Sequence, residues 1–196
     1  MNKIKNICVF CGSSIGNDEQ YQNQARALGE AMVQANMNLV YGGGNIGLMG
    51  VIANTVLNLG GTVTGVLPHF LNRKEVGHVA LSKLILVESM HERKQKMSEL
   101  SDAFIAMPGG FGTLEEIAEM LTWSQLGLSN KPLAFYNING FYDPLILQFD
   151  KMVEDGFLKP QNRDISIFEQ DTNRLLEKLI EFQPMAVPKW LHTDQT

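Results

Sequence analysis

The sequence has little basic charge, only two cysteines and no long apolar run, and each shortage excludes a class of protein. Lysine and arginine number 16 against 21 aspartates and glutamates, which gives a formal net charge of −5. Nonspecific nucleic-acid binding needs a basic face, so we expect no nucleic-acid partner. No apolar run reaches the ~18 residues of a membrane span. The start of the chain also has no long apolar stretch, so we expect no signal peptide, no membrane contact and a cytoplasmic protein.

The two cysteines, Cys8 and Cys11, have the C-x-x-C spacing that also occurs in redox and metal sites. No second cysteine pair accompanies them. They lie in "ICVFC", which alternates like a buried strand, where a free cysteine acts as a small apolar residue. We therefore interpret both as core residues and expect neither a metal nor another cofactor.

Strand-like and helix-like segments alternate along the whole chain, which at 196 residues is long enough for one domain with a full core. The strand-like segments are short and almost continuously apolar, as in "DAFIAM". The first helix-like segment, with Asp18 as its expected cap, places Ala25, Leu28, Met32 and Ala35 on one face. This alternation predicts an α/β, Rossmann-like three-layer fold with a central parallel β-sheet flanked by helices. We predict one domain over residues 1–196, with a poorly specified tail from about residue 184.

Three glycine-rich turns, "CGSSIG", "GGGNIGLMG" and "PGGFGT", each follow a predicted strand. Parallel sheets bind ligands at the carboxyl ends of their strands, and a helix that starts there offers free backbone N–H groups to a phosphate. Ser13 and Ser14 in the first turn can hold phosphate or sugar oxygens, or can simply cap a helix.

The second turn contains G-x-G-x-x-G at Gly42, Gly44 and Gly47, the outline of a dinucleotide-binding motif. It follows the second predicted strand instead of the first, however, and the next strand ends in Pro68 instead of an acidic residue that could bind a ribose. A mononucleotide or phosphate cradle that includes Gly43 and Gly44 fits better. Glycines that serve only tight packing are the remaining alternative.

The third turn continues into two adjacent glutamates, in "PGGFGTLEE". Its glycines and Thr113 can surround a phosphate. We place Glu115 and Glu116 in the first helical turn, where carboxylates suit the helix dipole. Because successive helical residues point about 100° apart, one glutamate can face a ligand while the other faces solvent or a partner chain.

Two cations, Arg93 and Lys94, lie near the start of another predicted helix, in "ESMHERK". Cations there oppose the helix dipole, and this local cost suggests a use such as binding an anionic ligand. A solvated basic face that continues through Lys96 is the alternative.

Taken together, "PGGFGTLEE", "SMHERK" and "GGGNIGLMG" make the chain resemble the LOG family, the cytokinin riboside 5′-monophosphate phosphoribohydrolases long mislabelled as lysine decarboxylases. The resemblance extends from "CVFCGSS" to about Phe157. It implies a Rossmann-like fold and a homodimer with active sites near the subunit interface. It also implies hydrolysis of the N-glycosidic bond of an adenosine 5′-monophosphate, often N6-substituted, to free base and D-ribose 5-phosphate. No lysine lies in the glycine-rich turns to suggest the pyridoxal chemistry of a decarboxylase.

Carried over by position, the resemblance makes Arg93 and Glu116 catalytic. With the glycine-rich turns, the predicted substrate-binding set is Ser13, Gly43, Gly44, Glu75, Lys94, Gly109, Gly110, Phe111, Gly112, Thr113, Leu114, Glu115 and Thr122. The loop around Glu75, "PHFLNRKEVGHVALSK", departs from the family's usual text, so the preferred N6 substituent stays open between AMP and N6-prenylated AMP.

The chemistry agrees with this assignment, because cleavage of an N-glycosidic bond passes through an oxocarbenium-like transition state that a carboxylate can stabilise. We expect Arg93 and the helix N–H groups to outweigh the negative charge of Glu116 locally. The alternative function is a nonhydrolytic nucleotide- or molybdenum-cofactor-binding carrier, which would not need both Arg93 and Glu116. The apolar segment "IAEMLTWSQLGL", with Trp123 expected at the surface, also favours a homodimer.

Overall fold

Seven short apolar segments pair side by side into one parallel sheet in the computed structural model, which describes residues 4–72, 78 and 81–184. The strands are β1 (Asn6–Phe10), β2 (Asn38–Tyr41), β3 (Val63–Pro68), β4 (Lys83–Val87), β5 (Ala103–Ala106), β6 (Leu133–Tyr136) and β7 (Ser166–Glu169). Their order is β4-β3-β2-β1-β5-β6-β7, and each neighbouring pair is parallel. The strand order therefore reverses between β1 and β5, which is where open α/β sheets bind ligands.

Helices connect the strands and cover both faces of the sheet, because parallel neighbours need crossover connections. They are α1 (Glu19–Gln34), α2 (Gly47–Asn58), α3 (His69–Asn72), α4 (Met90–Leu100), α5 (Phe111–Gln125), α6 (Asp143–Glu154), α7 (Pro160–Arg163) and α8 (Thr172–Glu181), with a 3-10 turn at Ile138–Gly140. One apolar cluster joins α1, α2 and α8 to the sheet, and a second joins α4, α5 and α6 to the opposite face. The predicted three-layer α/β fold is confirmed.

The two cysteines are buried and free, as predicted. Cys8 packs in the cluster beneath α4 and α5, whereas Cys11, just past the end of β1, packs in the cluster beneath α1 and α2. Each therefore contributes to a different core layer.

The prediction for the first helix is correct except at its end. The side chain of Asp18 accepts a hydrogen bond from the N–H of Gln20, and Ala25, Leu28 and Met32 are buried. Ala35 is exposed instead of buried, because it caps the helix just before Asn36, where the chain turns away with a left-handed φ of 56°.

Two expectations concern the ends and the environment of the chain. The tail predicted from about residue 184 lies almost entirely outside the described residues, which end at Pro184. None of the helices within residues 4–72 and 81–184 combines the length and apolarity that a membrane span needs.

Candidate active site

The glycine-rich turns after β1, β2 and β5 meet at the carboxyl ends of the strands, as predicted. The N–H of Gly12 donates to the carbonyl of Pro108 at 3.1 Å, which joins the first turn to the third. A Cβ on Gly109 would lie 2.2 Å from Oγ1 of Thr113 and 2.9 Å from the nitrogen of Gly12, so these turns approach closely only because Gly109 has no side chain. The second turn joins them through Gly47, where a Cβ would lie 2.2 Å from the carbonyl carbon of Ser13.

Helix α5 begins at this junction and presents the free N–H groups of its first turn to it. The N–H groups of Phe111, Gly112 and Thr113 lie in the first helical turn and therefore have no intrahelical acceptor. Gly110, the N-cap, provides no side-chain capping bond to them either. Such a helix start suits an anion such as a phosphate. Gly110 and Gly112 have open space where a side chain would be, which leaves the backbone accessible to a ligand.

The predicted position of the two glutamates is wrong by one helical turn. Because α5 starts at Phe111, Glu115 and Glu116 lie in its second turn instead of its first. The helix dipole acts mainly within the first turn, so it does not account for these carboxylates. Their positions are explained instead by the cations of α4.

Arg93 and Glu116 form a buried ion pair between α4 and α5. Nη1 of Arg93 lies 2.7 Å from Oε1 of Glu116, and each side chain is only 10% exposed. Nε of Arg93 donates to the carbonyl of Val66 at 3.2 Å, which holds the guanidinium against β3. Burial raises the pKa of Glu116, while the Arg93 guanidinium opposes that shift. The carboxylate thus stays charge-balanced but takes up a proton more readily than an exposed glutamate, which suits acid–base chemistry.

Lys94 forms a second bridge between the same two helices. Its Nζ lies 2.5 Å from Oε1 of Glu115 and 3.0 Å from Oε2 of Glu119, and its side chain is 12% exposed. Burial lowers the pKa of Lys94, but hydrogen bonds to Glu115 and Glu119 outweigh it, and the net shift is upward. Lys94 is therefore charged and already paired with two carboxylates.

The two bridges set the balance of charged side chains beside Glu116. Two cations, Arg93 and Lys94, face three carboxylates, Glu115, Glu116 and Glu119. Positive side chains alone therefore do not outweigh negative ones at this cluster. That Arg93 and the helix N–H groups together outweigh the charge of Glu116 stays a prediction. An anionic group has its favourable site at the N–H groups of the glycine turn and of α5.

Two cavities flank the third glycine turn and share Gly109, Gly110 and Phe141. One, of about 270 Å³, also borders the first turn at Ser13 and Ser14. The other, of about 440 Å³, lies between α5 and the start of α6 and is mainly apolar, with Phe111 and Leu114 in its wall. Both border the candidate phosphate-binding turn. Within the described part of the chain, no group of three or more His, Cys, Asp or Glu side chains is arranged to hold a metal ion.

Comparison with known proteins decides the family. A family model described as "possible lysine decarboxylase" matches residues 49–179. The cytokinin riboside 5′-monophosphate phosphoribohydrolase LOG1 of Arabidopsis thaliana is 46% identical over 93% of this chain and 86% of its own length. The probable cytokinin riboside 5′-monophosphate phosphoribohydrolase LOGL2 of Oryza sativa subsp. japonica is 44% identical over 93% of this chain and 75% of its own length.

The chain belongs to the LOG family. Solved structures of more distant proteins share its fold at TM-scores of 0.67 and 0.66. The molybdenum cofactor binding protein of Rippkaea orientalis is 19% identical over 90% of this chain and 96% of its own. The molybdenum cofactor carrier protein of Chlamydomonas reinhardtii is 20% identical over 91% of this chain and 99% of its own. At this identity the likeness shows the fold alone.

The LOG-family residues selected from the sequence fall into three groups. The structure brings Arg93, Lys94, Glu115 and Glu116 together between α4 and α5, and it places the turn residues at the strand ends. The turn residues are Ser13, Gly43, Gly44, Gly109 and Gly110, whereas Phe111, Gly112, Thr113 and Leu114 form the first turn of α5. Thr122 lies apart, exposed on α5, about 9 Å along the helix from Glu116. Glu75 lies outside the described residues.

Two residues in contact with the predicted cations Arg93 and Lys94 were missed in the sequence. Glu119 binds Lys94, and its spacing of four from Glu115 could have placed it on the same helical face. Gly42 lies against the Arg93 guanidinium. It was noticed only as part of a glycine motif, since a contact between β2 and α4 leaves no local signal.

Proposed function

We propose that this chain is a phosphoribohydrolase that hydrolyses the N-glycosidic bond of an adenosine 5′-monophosphate, often N6-substituted. Its products are the free base, of the cytokinin type where the substrate is prenylated, and D-ribose 5-phosphate. The observation that carries the proposal is the buried Arg93–Glu116 pair, whose glutamate lies on α5, the helix that begins at the open third glycine turn. The curated relatives, which carry the name phosphoribohydrolase, support the same reaction.

The glycine turn and α5 would bind the 5′-phosphate. The N–H groups of Phe111, Gly112 and Thr113 have no acceptor within the helix. Ser13 of the first turn is exposed and lines the same cavity as Gly109 and Gly110. Because these donors are backbone groups, they recognise the phosphate without adding cations to the site.

Glu116 would act on the sugar. As the bond to the base breaks, positive charge develops on the ribose, and the carboxylate stabilises it and activates the attacking water. Arg93 is the orienting partner. It holds Oε1 of Glu116, so that Oε2 is the oxygen available to the sugar and the water.

The finer points of the assignment are the substrate and the assembly. We propose both AMP and N6-prenylated AMP as candidate substrates, and a cytoplasmic homodimer as the working form. The dimer no longer draws support from Trp123, which is half-buried against the core cluster of α4, α5 and α6 and not at the surface as predicted. Light scattering at micromolar concentration tests it, and a monomer mass would contradict it.

The function is tested by chromatography of base release from AMP and from isopentenyladenosine 5′-monophosphate, side by side. Faster release from the prenylated nucleotide assigns the chain to cytokinin activation. Comparable or faster release from AMP makes it a general AMP nucleosidase. Release from neither, with nucleotide still bound, would contradict hydrolysis and favour the carrier alternative.

A further inference from the structure

Gly42 lies directly against the guanidinium of Arg93. It follows β2 and is buried, and a Cβ built on it would lie 2.0 Å from Nη2 and 3.2 Å from Cζ of Arg93. Its neighbour Gly43 has a φ of 75°, which accounts for a glycine there by backbone conformation. Gly42 has no positive φ, so the reason for glycine at this position is space.

The guanidinium has no free direction in which to avoid a larger residue. Nε is bonded to the carbonyl of Val66, and Nη1 is bonded to Glu116. Because the guanidinium is planar and rigid, these two bonds also fix Nη2, the nitrogen that faces Gly42. A side chain at residue 42 would therefore push Arg93 out of one or both bonds.

We infer that Gly42 is a positioning residue, whose missing side chain opens the slot in which Arg93 lies and through which Arg93 orients Glu116. This inference rests on the proposed function wherever its readout is hydrolysis. It separates Gly42 from the other glycines of the turn. Gly43 packs against Leu67 of β3 and Gly47 against Ser13 of the first turn, whereas Gly42 lies against the ion pair between α4 and α5.

The expected effect of Gly42→Ala is on turnover more than on substrate binding. The atom that must move is the end of the Arg93 side chain and not backbone, so we expect the variant to fold. Displacement of a catalytic group by about 1 Å typically costs ~10² in rate. We therefore expect kcat to fall about 10²-fold, while KM changes little because the third glycine turn and the start of α5 are untouched.

The test is a double-mutant cycle with Arg93→Lys. A lysine lacks the second guanidinium nitrogen, Nη2, that meets Gly42, but it keeps a cation beside Glu116. We therefore expect the Arg93→Lys variant to fold. Gly42→Ala should lower kcat strongly in the wild-type background. In the Arg93→Lys background it should change the single-turnover rate by no more than about twofold, the usual limit of additivity.

Gly29→Ala is the matched control. Gly29 is a tightly packed glycine of α1, where a Cβ would lie 3.1 Å from Cγ2 of Thr55, far from the ion pair. It should leave kcat unchanged. Near-wild-type kcat for Gly42→Ala, or an undiminished loss of rate in the Arg93→Lys background, would overturn the inference.

Unfolding measurements keep the inference testable if the other assays fail. If wild-type protein releases no base, the proposed function fails on its own. The positioning inference then still predicts that Gly42→Ala destabilises the wild type more than it destabilises Arg93→Lys. If Gly42→Ala alone does not fold, the double variant should fold like Arg93→Lys, and equal damage in both backgrounds would overturn the contact.

Discussion

Removal of Arg93 tests the buried ion pair most severely, because it leaves the Glu116 carboxylate buried without its partner. Each of the two side chains is 10% exposed, so water can replace the lost partner only poorly. Breaking such a pair from one side typically costs ~3–5 kcal/mol, whereas removal of both charges costs much less. We expect Arg93→Ala to lose stability in that range, and Arg93→Ala/Glu116→Ala to recover a large part of it.

The pH dependence of this loss has a definite sign. Burial already raises the pKa of Glu116 in the wild type, and removal of the opposing guanidinium should raise it further. A carboxyl whose folded pKa exceeds its unfolded pKa binds protons more tightly in the folded state, so its protonation favours folding. The deficit of Arg93→Ala should therefore shrink as the pH falls through the raised folded pKa towards the unfolded value of about 4.3.

The assay is urea unfolding of wild type, both single variants and the double variant at several pH values. Lys96→Ala is the control on the same helix, because it removes an exposed ion pair with Glu99 and should change stability little. A pH-independent deficit, or a double variant as unstable as Arg93→Ala, would refute the buried-charge reasoning.

Two further predictions concern the surroundings of the pair. Glu119→Ala removes one of the two carboxylates on Lys94, and because Glu119 is 22% exposed we expect a loss of only about 1 kcal/mol by thermal unfolding. A loss as large as that of Arg93→Ala would mean that Lys94 is the main link between α4 and α5. Gly109→Ala puts a Cβ 2.2 Å from Oγ1 of Thr113, so we expect a loss of about 1–3 kcal/mol and weaker nucleotide binding by calorimetry. Unchanged affinity would exclude this turn as the phosphate site.

The fold could be predicted from local sequence patterns, but the contacts between the residues of the site could not. The parallel sheet was predictable because its strands are short apolar runs between amphipathic helices. The Arg93–Glu116 pair was reachable only through the family resemblance. The two residues are 23 positions apart on different helices, and no local pattern records their contact.

The errors have physical causes that can be named. The start of α5 was placed too late because "FGT" contains glycine and threonine, which are weak helix formers, although tertiary packing still winds them into the first turn. Trp123 was expected at the surface because an apolar helix pattern does not distinguish a core face from an interface.

The central claim, that Glu116 acts on the sugar while the glycine turn holds the phosphate, is tested most directly with Glu116→Gln. Nucleotide affinity by calorimetry and base release by chromatography would be measured on the same preparations of wild type and variant. The account predicts that the variant binds the nucleotide about as well as wild type, while base release falls by ~10²–10⁴. Base release at the wild-type rate, or loss of binding in step with activity, would contradict it.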